Sequence, residues 1–364
     1  MTIILFIFIL ALLIFVHELG HFLAAKLCGI RVDEFGLGFP PRAVSWKRGE
    51  TVYSLNFIPF GGFVKIFGET LDEASATGPD CHRSLVAKPK WQQALVLVAG
   101  VFSNWLLAWF FISAGFMFGL PLSADNAAAE GLFLSNVETT IVQVRPDSPA
   151  ARAGLKAGDA VTYITTAKIN ITKPAVAVFQ EAVKTAPDVI TIGYRRGEKT
   201  GQATLTPTVA LAGRAPVIGV ALDEIGILKL PWYAALSRGS EHTLTLTKSL
   251  LFGLSQMVSG LFAGESLKDA VIGPIGIAGL VGEARALGFI YLLTFAAFIS
   301  LDLAIINLIP FPALDGGRLL FLLIEAVKGS PLKPAVANTL NLAGFIFLIA
   351  LMIAVTASDI FRLF

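Results

Sequence analysis

The segment His17-Glu18-Leu19-Gly20-His21 sets two imidazoles four residues apart, with a carboxylate beside the first. On a helix, residues four apart share a face, so both rings can bind one zinc ion. Glu18 falls on the flank of that face, where its carboxylate can take a proton from a water activated by the metal. Two imidazoles and a water leave a tetrahedral zinc one protein ligand short. The preferred candidate is Asp315, in Asn307-Leu308-Ile309-Pro310-Phe311-Pro312-Ala313-Leu314-Asp315-Gly316-Gly317. Its two prolines should break a helix, and Gly316 and Gly317 permit a tight turn and a close approach to the metal. Two alternatives stand beside this. Asp315 could simply cap a helix beginning near Arg318, and Asp302 could be the ligand from about three turns earlier.

These residues need a scaffold, and composition indicates its kind. Of 364 residues, 55% are hydrophobic and only 15% charged, with a mean hydropathy of +0.73. A soluble domain carries about a quarter charged residues, so the apolar excess needs another home. Long apolar runs supply one. Four spans are expected, over about Ile3–Leu27, Ala94–Leu120, Leu287–Ile309 and Leu340–Val355, each near the ~20 residues that carry a helix across a bilayer. His17, Glu18 and His21 interrupt the first span, at a cost that a metal and its water would compensate. A weaker apolar stretch, about Leu244 to Phe262, is expected to be amphipathic or interfacial.

Lys26, Arg31, Arg42, Lys47 and Arg48 crowd the link between spans one and two, and Arg318, Lys328 and Lys333 the link between three and four. Both links are therefore expected in the cytoplasm, with both termini and the 121–286 region outside. The N-terminus lacks a basic n-region and does not resemble a removable signal peptide. Cys28 and Cys81 make no disulfide framework. A net charge of +2 argues nothing about nucleic acid, and no basic cluster with interleaved aromatics appears; the apolar runs make the lipid bilayer the expected partner.

Within residues 121–225 the apolar runs give way to short alternating strands, such as Thr140–Val144 and Val189–Tyr194, broken by Gly and Pro. Ser148-Pro149-Ala150-Ala151-Arg152-Ala153-Gly154-Leu155-Lys156-Ala157-Gly158-Asp159 between them resembles the signature of bacterial PDZ domains, which can accept a peptide as an added strand. The expected architecture is thus a polytopic α-helical membrane protein with four transmembrane helices. Residues 1–120 hold spans one and two and the link between them, including 31–68. An α+β PDZ-like insert follows over 121–225, an amphipathic connector over 226–286, and spans three and four over 287–364.

An H-E-x-x-H in the first span, joined to N-x-x-P-x-x-x-L-D-G-G after a later one, resembles the site-2 protease family of intramembrane zinc metalloproteases. The resemblance covers nearly the whole chain. A single PDZ-like insert is similar to the bacterial regulators that cleave membrane-bound anti-sigma factors. It implies Zn2+ as cofactor, single-pass membrane proteins (anti-sigma factors or signal-peptide remnants) as substrates, and the bacterial inner membrane as location, with the site towards its cytoplasmic side. It further implies that Asn307 bonds the substrate backbone or the developing oxyanion. Gly36 to Gly68, with Ile58 to Lys65 within it, is similar to the family's membrane-associated β-hairpin loop, so the resemblance implies such a loop over 31–68. Gly100 and Asn104 match its G-x-x-x-N element, and Gly273-Pro274-Ile275-Gly276-Ile277 its glycine–proline element. Val101 and Asp302 stand where the family often has proline and asparagine.

A helical substrate hides its peptide bonds. Strand-like segments Thr51–Leu55 and Phe63–Ile66, with Phe63, Val64 and Lys65 foremost, could hold it unwound by pairing with it. Two other functions compete: a catalytically inactive membrane scaffold or chaperone with a PDZ domain, and a transporter. The complete residue set disfavours the first, and the absence of visible inverted repeats the second.

Overall fold

The computed structural model describes residues 1–69, 78–129, 131–186, 188–208, 216–264, 272–330 and 332–361. In chain order its principal elements are α1 (Thr2–Leu27), β1 (Val32–Arg48), β2 (Thr51–Ile66), α2 (Lys90–Phe118), β3 (Leu120–Ser123), β4 (Ser135–Val144), β5 (Ala160–Thr165), β6 (Asn170–Thr172), α3 (Val176–Thr185), β7 (Ile190–Arg196), β8 (Lys199–Leu205), β9 (Val220–Leu228), α4 (Trp232–Phe262), α5 (Pro274–Leu287), α6 (Phe289–Leu308), α7 (Asp315–Lys328) and α8 (Pro334–Phe361). They form two compact units. One comprises Met1–Ile112, Gly239–Gly282 and Thr294–Phe364, the other Ser113–Arg238 and Glu283–Leu293.

α1, α2, α6 and α8 are long and apolar enough to cross a membrane, matching the four spans expected. α8 extends beyond Leu340 and Val355 at both ends, because the polar residues there do not stop a helix that satisfies its own backbone. Asp359, near its C-terminal end, is buried and accepts the Gly273 and Gly276 N–H groups at 3.1 and 2.8 Å. The glycine–proline element therefore opens α5 with its free donors satisfied from a distant helix. The connector expected over 226–286 is divided: its first residues close β9, and α4 and α5 follow, with 265–271 outside the described residues. In α4 the hydroxyls of Thr243, Thr245 and Thr247 donate to carbonyls four residues back. These hydroxyls are thereby satisfied by the helix's own backbone.

β1 and β2 make a bulged hairpin that folds back on itself. Thr51–Leu55 pairs on one side with Val44–Arg48 and on the other with Glu34–Leu37, so both of its edges are taken. Of the two segments expected to receive a substrate strand, only Phe63–Ile66 keeps a free edge among the described residues. Phe39, Val44, Trp46, Leu55 and Phe57 are exposed, an apolar surface suited to lipid. Glu50, in the turn between β1 and β2, accepts from Lys26 Nζ at 2.6 Å and from Arg83 at 2.7 Å. The Arg83 hydrogen bond foremost, then that of Lys26, holds its carboxyl down to about 2. This clamp is present above the ordinary carboxylate range and is lost as pH falls through about 2.

The second unit is built on seven strands among the described residues, in the order β3-β9-β4-β5-β7-β8 with β6 paired to β5. Phe179 of α3 packs with Ile141, Ile164, Ile190 and Ile192 in its core. Ser148 Oγ accepts the Ala151 N–H to cap the short helix Pro149–Arg152. The following turn places Asp159, fully buried, against Arg196 at 2.6 and 2.7 Å and the Lys156 N–H at 2.9 Å. Arg196→Met strands that carboxylate and is expected to destabilise this unit by about 3 kcal/mol. Hydrogen exchange over 140–205 in the full chain checks it: protection falls there while α1 and α2 are unchanged.

Candidate metal centre

The pairing of the two histidines follows from α1 alone. His17 and His21 lie one turn apart, both buried, with ring centroids 4.8 Å apart. The third group arrives from the far end of the chain. His17 Nε2 is 3.0 Å and His21 Nε2 3.2 Å from Asp315 Oδ2, and the two Nε2 atoms are 3.2 Å from one another. A tetrahedral zinc with ligands at about 2.0–2.1 Å sets its donors roughly 3.3 Å apart. The triangle therefore has the chemistry and the dimensions for that ion. Asp302 is not part of this cluster.

His21 Nδ1–H donates to Val96 O at 2.8 Å. That bond fixes the tautomer and leaves Nε2 bare towards the triangle. The ring has room because position 100 is glycine: a Cβ there would fall 2.2 Å from His21 Nε2. Next to His21 on α1, a Cβ on Gly20 would fall 2.3 Å from Ser103 Oγ and 2.4 Å from Ala99 O. Small residues thus let α1 and α2 approach closely enough for a backbone carbonyl to meet a ring, as small side chains do between membrane helices.

Asp315 is carried by the break between α6 and α7. The prolines end α6 as expected, and α7 begins at Asp315 itself. Its preceding residue, Leu314, makes no side-chain cap, so Asp315 is not the cap that the sequence allowed. The glycines serve differently from the expectation. Ala313, not a glycine, has the left-handed backbone, with φ of 76°. A Cβ on Gly316 would meet Leu308 O and Ile309 O at 2.3 Å, and one on Gly317 would meet Phe311 O at 2.1 Å. These glycines let α7 fold tightly against the end of α6. The strained Ala313 is held by its N–H donating to Asn341 Oδ1 of α8 at 3.2 Å.

Two cavities, of about 420 and 250 Å³, flank the triangle, and His17, Glu18, Gly62, Ala313 and Asp315 line both. The larger is completed by Phe63, Val64 and Ile66 of β2 with Glu69, Arg318 and Asn341. Arg318, one turn after Asp315, donates to Glu69. Asn307 and Asn104 line the smaller. Lys65 is exposed and lines neither. Every other residue expected at the site is thus gathered around one point. Val96, Glu69 and Asn341 were not foreseen. The only signal for Val96 was its four-residue spacing from Gly100 and Asn104; nothing in residue type announced the other two.

Residues 5–351 match the profile of peptidase family M50. The Clostridium perfringens relative CPE1693 is 36% identical, over 96% of this chain and 95% of its own. Regulator of sigma-W protease RasP of Bacillus subtilis is 31% identical, over 100% of this chain and 99% of its own. The solved PDZ domain of the SdrC-like protein from Listeria monocytogenes is 26% identical, covers 25% of this chain and 93% of its own, and has a TM-score of 0.21.

A methyl group at position 100 would displace the His21 ring. Gly100→Ala is therefore expected to lower zinc per chain at least about tenfold, read by metal analysis of the purified protein.

Proposed function

The chain belongs to peptidase family M50, the site-2 protease family, and is a zinc metalloprotease of the membrane, and we propose that it cuts transmembrane segments of single-pass membrane proteins within the bilayer. The observation that carries this is the donor triangle of two membrane-helix histidines and Asp315, with a cavity on either side. His17, His21 and Asp315 hold the zinc. The ion, when bound, polarises the scissile carbonyl and brings the pKa of its water towards about 7. Glu18, which lines both cavities, takes the proton of the attacking water and passes it to the leaving amine. Asn307, in the smaller cavity, donates to the substrate carbonyl as negative charge develops on it. One such neutral donor is worth about 3 kcal/mol of barrier.

An extended chain passing from one cavity to the other crosses Glu18. Phe63, Val64 and Ile66 line the larger cavity, and the free edge of that segment can hold such a chain as an added strand. An unwound transmembrane segment thereby replaces the backbone hydrogen bonds it gives up.

The inserted domain lies outside the cell and the metal centre sits towards the cytoplasmic side of the inner membrane, as the Lys and Arg of the short links favour. Among the described residues β3 covers β9 only from Ile225 to Leu228, so residues 220–224 keep an edge there. A groove of about 380 Å³ there is lined by Phe179, Val183 and Ile218 with Arg145 and Lys184. It suits an extended chain ending in a carboxylate, the end that trimming of a substrate's outer part would create. Anti-sigma-factor-like proteins and signal-peptide remnants are the substrate classes this filter fits.

Co-expression with single-pass proteins bearing trimmed outer domains tests the activity by immunoblot. A fragment is expected with the intact chain and not with Glu18→Gln; one that persists with Glu18→Gln would sink the mechanism. Asn307→Ala should retain zinc and lose about 100-fold in turnover. Val64→Pro should impair cleavage with zinc retained, and unimpaired cleavage would exclude strand addition at that edge.

A further inference from the structure

We propose that Asn104 is a positioning residue for the metal, its amide oxygen accepting the His17 Nδ1–H and holding that ring with Nε2 bare towards His21 and Asp315. This rests on the metalloprotease function argued above.

Asn104 is 1% exposed. Its Nδ2 is 3.4 Å from His17 Nδ1, and its Oδ1 is buried without a partner. His17 can offer Nε2 to zinc only if Nδ1 carries the proton. An NH2 group facing that N–H would set donor against donor. Exchanging the two ends of the amide, which are alike in shape, removes both faults. The stranded oxygen gains a donor and the Nδ1–H gains an acceptor. The NH2 end is then left to the smaller cavity, whose wall Asn104 forms in part.

The other ring is treated in the same way, since His21 Nδ1–H donates to Val96 O at 2.8 Å. Val96, Gly100 and Asn104 are spaced four apart and share one face of α2. That single face gives an acceptor to each histidine and, between them, the space that a ring needs. Asn104 is itself pinned, because the fully buried Ser300 of α6 donates to its backbone carbonyl at 2.8 Å. An amide this deeply buried is costly unless bonded, and a leucine would fill the same volume without that cost.

The test compares metal affinity in the detergent-solubilised full chain, by chelator competition for Zn2+ and by the visible spectrum of the Co2+-loaded protein. Asn104→Leu lacks the acceptor and is expected to bind zinc about 10–100-fold more weakly, with an altered Co2+ spectrum. Asn104→Asp keeps an acceptor in place and should stay within a few-fold of the wild type with its spectrum preserved. Should the leucine variant not fold, Asn104→Ala takes its place. Wild-type affinity in the variant lacking the acceptor, or equal loss in Asn104→Asp, would overturn the proposal. A wild type that binds neither ion would instead overturn the metalloprotease function beneath it.

Discussion

Three ionisable side chains converge within 3.0–3.2 Å of one another among helices built to cross a bilayer. Charge and unpaired polarity are costly at that depth, so each group must be matched by a partner or an ion. Much of the membrane unit can be understood as the supply of those partners. α2 offers a backbone carbonyl to one histidine and an asparagine to the other. The α6–α7 break delivers a carboxylate, and α8 steadies the break by satisfying one strained N–H. The close contact of α1 with α2 follows from the same need, since a carbonyl reaches an imidazole only if small residues separate the helices.

The site also has to admit a polypeptide, which a fully packed helical bundle cannot do. Two irregularities make the opening. The proline-broken end of α6 leaves backbone outside any helix where it lines a cavity, the setting in which such backbone is tolerated at membrane depth. The hairpin contributes an edge strand beside Glu18 among the described residues. An edge strand in water invites unwanted pairing; here the same property is what the proposed strand addition would use. The hairpin's exposed aromatic and aliphatic residues suit lipid contact, and its Glu50 clamp ties it to Lys26 and Arg83.

The inserted domain follows different rules. Its core is a cluster of aliphatic residues around Phe179, and its Gly158-Asp159 turn depends on one buried ion pair. The segment Ser148–Asp159 was legible in advance as a resemblance to the PDZ signature, a short helix followed by a Gly-Asp turn, because such a turn is local. The free edge of β9 was not, since it depends on how far β3 runs alongside it.

The sequence by itself determined that His17, Glu18 and His21 share one flank of an apolar helix, and that four helices are long enough to cross a bilayer. Helical periodicity and span length are properties of a few consecutive residues, readable without knowing what lies opposite. The tertiary structure decided that Asp315 and not Asp302 joins the histidines, across 298 residues of chain. It decided that Thr51–Leu55 is sealed on both edges while, among the described residues, Phe63–Ile66 is not, and that the paired glycines serve the tight packing of α7 on the end of α6. It also supplied Val96, Asn341 and Glu69. Those outcomes depend on which atoms approach one another from distant elements. A backbone carbonyl carries no signature in the sequence, because every residue has one.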